Sequence, residues 1–125
     1  MAPEAVILII EDESNLRVTL AAILRRHGYR VCDLASAESA IAYLQENNCD
    51  LIVTDLRLPG MDGIELLGLL HSRFPAIPVI VLTAFPSVES QNNAHSLGAA
   101  DYLRKPIEPD QLVMRIDELL SASVA

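Results

Sequence analysis

A chain of 125 residues fits one ordinary domain with a single substantial core, and a composition of 51% hydrophobic and 21% charged residues with 7 Pro and 5 Gly excludes disordered and fibrous classes. Acidic residues number 17 against 9 basic ones, a formal charge of -8 that repels phosphate backbones and anionic membranes. Lys and Arg do not cluster, so direct nucleic-acid binding is not expected.

The chain opens on AVILII (5 to 10), an aliphatic run that suits a strand covered on both faces and is far too short to span a membrane. No basic segment precedes it, so neither export nor a membrane partner is expected. Leu16, Leu20, Ile23 and Leu24 then share one helical face, with Gly28 where the glycine after a helix belongs. YRVCDL (29 to 34) predicts a second strand, and Ser36 caps a helix carrying Ala37, Ala40, Ile41 and Leu44. DLIVTD (50 to 55) is the third strand; Asp62 with Glu65 opens a helix through Ile64, Leu67 and Leu70. Pro78 fits the start of a fourth strand, IPVIVLT (77 to 83), and a helix between Ser87 and Leu97 ends at Gly98. ADYL (100 to 103) is the last strand, and a helix from Pro109 buries Leu112, Val113, Ile116, Leu119 and Leu120. SASVA has no periodic pattern and reads as a frayed helix end or the start of a linker. Cys32 and Cys49 are too few and too irregularly spaced for a disulfide framework or a zinc site, and read as buried thiols in a reducing cytoplasm.

Five βα units imply an α/β fold with a doubly wound parallel sheet, helices on both faces and right-handed crossovers. Function in such sheets gathers at the carboxyl ends of the strands. Glu11-Asp12 follow the first strand, Asp55 ends the third, Thr83 ends the fourth and Lys105-Pro106 follow the fifth. Singly, each has an ordinary explanation: Glu11 or Asp12 caps the first helix, Asp55 forms a turn, Thr83 fills a strand and Lys105 is a solvated charge. Together, three carboxylates at one edge repel one another unless a cation neutralises them. Mg²⁺, which takes a few carboxylate oxygens and leaves positions open for a phosphoryl oxygen, suits this sparse set better than a Ca²⁺ cage.

On the motifs ILIIEDE (7 to 13), DLRLPGMDGIEL (55 to 66), LTA (82 to 84) and GAADYLRKP (98 to 106), the chain resembles a receiver domain of a two-component response regulator. The resemblance covers essentially its whole length, with the domain at 1–121 and a tail or linker at 122–125. It implies a flavodoxin-like (βα)5 sandwich with sheet order 2-1-3-4-5. It also implies that Asp55 is the phospho-acceptor, and that Asp12, Asp55 and the main-chain carbonyl of Arg57 bind Mg²⁺, with Glu11 acting on the ion through water. Thr83 and Lys105 would contact the phosphoryl oxygens, with a cis peptide before Pro106. Thr83 and Tyr102 would switch a face made by the fourth helix, fifth strand and fifth helix.

The implied partners are a sensor histidine kinase and an output domain or effector, with a dimer formed on phosphorylation left open; the implied compartment is the cytoplasm. TAFPSVES with GAADYLRKP is most similar to receivers of the nitrogen-regulation type that control sigma-54 activators. Such a module is a phospho-acceptor rather than an enzyme in the usual sense. A stand-alone receiver acting by contact or phosphorelay, and an inert pseudo-receiver, are the alternatives. Two other classes fail on named residues: EDESN after the first strand repels an FMN phosphate, and Arg57 stands where a dehalogenase-like phosphatase carries its second aspartate.

Overall fold

The computed structural model describes residues 5–124, with backbone only for 122–124. Strands and helices alternate: β1 (Val6–Ile10), α1 (Ser14–Arg26), β2 (Arg30–Leu34), α2 (Ala37–Glu46), β3 (Leu51–Asp55), α3 (Gly63–Arg73), β4 (Val79–Thr83), α4 (Val88–Ser96), β5 (Asp101–Arg104) and α5 (Pro109–Val124). All strand pairs are parallel, in the order β2-β1-β3-β4-β5. The five βα units and the sheet order are therefore those expected, with ends displaced by one residue at β1, β2, β3 and β5 and by two at β4, whose first residue is Val79, so that Pro78 precedes the strand rather than opening it.

Alternation along the strands divides the core. Leu8, Ile10, Ile52, Val79 and Val81 face α2, α3 and α4, which contribute Ala40, Leu44, Leu66, Leu67, Leu70 and Ala94. Ile7, Ile9, Leu51, Val53, Ile80 and Leu82 face α1 and α5, which contribute Leu20, Leu24, Leu112, Val113 and Ile116. The central strands β3 and β4 are buried along their whole length, so their side chains need apolar cover on both sides. Gly28 and Gly98 follow α1 and α4 with φ of 92° and 87°, the left-handed conformation that a residue without Cβ adopts freely.

Some details depart from the sequence reading. The cap of α1 is neither Glu11 nor Asp12 but Glu13, whose carboxylate accepts from the N–H of Asn15 (3.2 Å) and Leu16 (2.6 Å). That leaves the two preceding acids for other work. Leu119 and Leu120, expected to be buried, are half-buried near the end of α5, and Cys32 on edge strand β2 is half-buried while Cys49 is buried. The backbone of α5 remains helical to Val124, past the last apolar position of its pattern, and Ala125 lies outside the described residues.

Candidate functional site

Parallel strands all end on the same edge, so the register brings residues distant in sequence together there. Ile10 pairs with Thr54, Asp55 with Leu82, and Thr83 with Arg104. The residue after β1 is Glu11, the last of β3 is Asp55, the last of β4 is Thr83, and Lys105 follows β5. Carboxylate oxygens of Glu11, Asp12 and Asp55 lie within 4.8 Å of one another. Glu11 and Asp55 are buried, at 3% and 7% exposure, and Asp12 is exposed.

Lys105 supplies the counter-charge. Its ammonium donates to Glu11 Oε1 at 2.5 Å and to Asp55 Oδ2 at 2.7 Å. Burial opposes the charge on Lys105, but hydrogen bonds to Asp55 and Glu11, with their charges, outweigh it and raise its pKa above the ordinary lysine value. Burial likewise pushes the Glu11 carboxyl up; the bond from Lys105 and that from the Glu13 N–H (3.1 Å) pull it down, and the charge of Asp55 adds to the rise. Glu11, one methylene longer than aspartate, thus reaches Lys105 directly. The Lys105–Pro106 peptide is cis, as the resemblance implies.

The strand ends share a local device. At the end of β3 the Arg57 N–H donates to Asp55 Oδ1 (3.0 Å), and at the end of β4 the Phe85 N–H donates to Thr83 Oγ1 (3.1 Å). Each side chain at a strand terminus binds the amide two residues on and turns the chain back, a conformation that Asp and Thr favour. The two returning loops meet: the Arg57 guanidinium lies 3.8 Å from the centre of the Phe85 ring. Both residues are exposed, so the pair forms a rim rather than a core contact.

Tyr102 stands half-buried on β5, with its hydroxyl at the start of α4. It accepts from the Ser87 N–H (3.3 Å) and shares a 2.5 Å hydrogen bond with Ser90 Oγ. Ser87 is also the N-cap of α4. The structure therefore brings Glu11, Asp12, Asp55 and Lys105 into one cluster with Thr83 at the same edge, and sets Tyr102 apart from it, its hydroxyl bonded to the first turn of α4. Two residues of the surroundings escaped the sequence reading: Glu13 as helix cap and Arg17, whose guanidinium reaches the Glu11 carbonyl. A carboxylate immediately before Ser14 is a readable capping signal; a contact from a helix to a strand-end carbonyl has no sequence signature.

Comparison with known proteins agrees with this geometry. Residues 7–117 match the response regulator receiver domain family. Among curated proteins the chain is 39% identical over 109 residues to the response regulator protein FleR of Pseudomonas aeruginosa, covering 87% of this chain and 23% of that protein. It is 38% identical over 115 residues to the transcriptional regulatory protein ZraR of Salmonella typhimurium, covering 92% of this chain and 26% of that protein. It thus spans about a quarter of the length of these relatives. Among solved structures, a CheY-like receiver domain protein from Methanospirillum hungatei superposes with a TM-score of 0.94 at 30% identity, covering 97% of each chain. The chain belongs to the response regulator receiver domain family, in kinship with the FleR, ZraR and NtrC regulators. A receiver is a phospho-acceptor module and not an enzyme of the usual kind. None of the helices, among the described residues, is long and apolar enough to cross a membrane.

Proposed function

We propose that Asp55 accepts a phosphoryl group from a phosphohistidine of a sensor histidine kinase, and that the acyl phosphate resets the α4–β5–α5 face toward an output domain engaged in transcriptional regulation. The observation that carries this reading is the convergence of two further carboxylates, Glu11 and Asp12, and one ammonium, Lys105, on the strand-end carboxylate of Asp55. The donor set, all hard oxygens, fits Mg²⁺: Glu11, Asp12, Asp55 and the main-chain carbonyl of Arg57 would hold it. When bound, the ion neutralises the carboxylates and the charge developing on the phosphoryl oxygens.

The protein's own groups do the rest. An Asp55 carboxylate oxygen forms a bond to phosphorus as the bond from phosphorus to the donor imidazole nitrogen breaks, its electron pair returning to the ring. Lys105, already on Asp55, pairs with a phosphoryl oxygen. Thr83 accepts from the Phe85 amide and keeps its hydroxyl proton to donate to a second oxygen. Tyr102 links that event to α4: while its hydroxyl holds Ser87 and Ser90 it fastens the first helical turn, and inward rotation of the ring releases both.

In this reading the receiver is residues 1–121 and 122–125 are a tail or the start of a linker, with the α5 backbone running on to Val124; the relatives, of which the chain spans about a quarter, support its being part of a larger cytoplasmic regulator. This domain acts by protein contact, a dimer formed on phosphorylation included, and does not itself bind DNA. Acetyl phosphate with Mg²⁺ should add one phosphoryl mass to the wild type and none to Asp55→Asn; labelling of that variant would refute the assignment. Asp12→Ala should weaken Mg²⁺ binding, and an unchanged titration would remove Asp12 from the ligand set.

A further inference from the structure

Glu11 is held at every polar group it owns. Its N–H donates to the Leu34 carbonyl (3.0 Å), its carboxylate accepts from Glu13 N–H and from Lys105, and its carbonyl oxygen accepts from Nη1 of Arg17 at 2.9 Å. Arg17 lies on α1, and its Nε is 3.5 Å from Asp33 Oδ2 on β2, the two side chains being 19% and 26% exposed. The other oxygen of Asp33 is 3.3 Å from Nη2 of Arg25, which also donates to the Val31 carbonyl at 3.1 Å. One guanidinium therefore spans from the second strand to the peptide that joins Glu11 to Asp12.

Asp12 itself has no such anchorage. Its side chain is exposed and, among the described residues, makes no hydrogen bond or ion pair, although its oxygen falls within the cluster with Glu11 and Asp55. Its position is set by the backbone it leaves, with the carboxylates of Glu11 and Asp55 beside it. Among the described residues, the one charged donor on the Glu11–Asp12 peptide is Arg17. A guanidinium suits the task because its planar fork engages a carbonyl and a carboxylate at once and does not lose its proton.

We propose that Arg17, held by Asp33, is a positioning residue for the divalent-ion site: by fixing the Glu11 carbonyl it fixes the direction in which Asp12 presents its carboxylate. The inference rests on the phospho-acceptor reading for what the ion does. It assigns Arg17 no contact with the ion or the phosphoryl group. Groups that orient metal ligands in this manner typically contribute between about tenfold and a hundredfold to metal affinity.

The test measures Mg²⁺ binding by calorimetry, Mg²⁺-dependent labelling by acetyl phosphate, and the thermal midpoint, in the wild type, Arg17→Ala, Arg17→Lys and Asp33→Asn. Arg17→Ala should raise the half-saturating Mg²⁺ concentration about tenfold and still label fully at saturating Mg²⁺. Arg17→Lys, which offers the carbonyl a donor without the fork, should fall between the two. A lower thermal midpoint with an unchanged half-saturation would show that Arg17 only supports packing, and would overturn the proposal. If Arg17→Ala does not fold, Asp33→Asn removes the charge that holds the guanidinium; a raised half-saturation supports the proposal and an unchanged one overturns it. Wild-type protein that neither binds Mg²⁺ nor labels would overturn the phospho-acceptor reading itself, an outcome distinct from a variant that behaves like an active wild type.

Discussion

The stack of Arg57 on Phe85 should set how long an acyl phosphate survives on Asp55. The two residues stand two positions beyond Asp55 and Thr83, and their loops turn back through hydrogen bonds from their own amides, so the stack closes the rim of the site. Phe85 is 60% exposed, and a cation over an aromatic ring at an exposed place contributes about 0.5–1 kcal/mol. That energy favours the closed rim over the open one by a factor of about 2 to 5, since 1.4 kcal/mol is tenfold. If water attacks only through the open form, Phe85→Ala and Arg57→Ala should each shorten the phosphorylated lifetime by up to about fivefold. The double variant should decay no faster than either single one, because either change removes the whole interaction. Loss of phosphoryl mass with time, followed after removal of the donor, reports these rates. Unchanged decay in both single variants would refute the shielding, and slower decay in Arg57→Ala would show that the arginine assists hydrolysis instead.

Gly63 opens α3 so close to the preceding loop that an added Cβ would lie 2.4 Å from both the Cα and the carbonyl oxygen of Leu56. Because neither neighbour is a flexible side chain, Gly63→Ala should destabilise by about 3 kcal/mol in urea titration and slow labelling of the adjacent Asp55; a midpoint like that of the wild type would refute this. Helix α4 has Ala94 as its one fully buried residue and presents Gln91, Asn92, Asn93 and His95 to solvent, so its amides should exchange faster than those of α1 and α5. Equal protection across these helices would contradict that expectation. Burial pushes the Cys49 thiol up to about 12 from its ordinary 9.0. Its folded pKa is thus the higher one, and stability is whole below about pH 9 and falls as pH rises toward 12. At pH 8 Cys49 should resist iodoacetamide until urea exposes it, and equal rates with and without urea would refute the assignment.

How much of this was legible in the chain depends on the range of the interaction. The alternation of aliphatic runs with helical stripes determined the five βα units, because burial on both faces of a parallel strand demands uninterrupted apolar residues. Ser36 and Asp62 were readable at helix starts because a cap bonds within its own first turn, and each does so here, as does Ser87 at the start of α4. The reactive set was legible as well, since Glu11, Asp12, Asp55, Thr83 and Lys105 all stand at strand ends, and parallel strands deliver their ends to one edge.

The tertiary structure decided what those residues touch. That Lys105 reaches Glu11 as well as Asp55 depends on strands β1, β3 and β5 being set at their observed spacing, across 94 and 50 residues of chain. That Tyr102 holds the first turn of α4 depends on the packing of that helix, and that Arg17 holds the Glu11 carbonyl depends on how α1 lies against β2. Periodicity and capping are local and leave their record in the sequence. A hydrogen bond between a side chain and a distant carbonyl is fixed only when the sheet and its helices have closed around it.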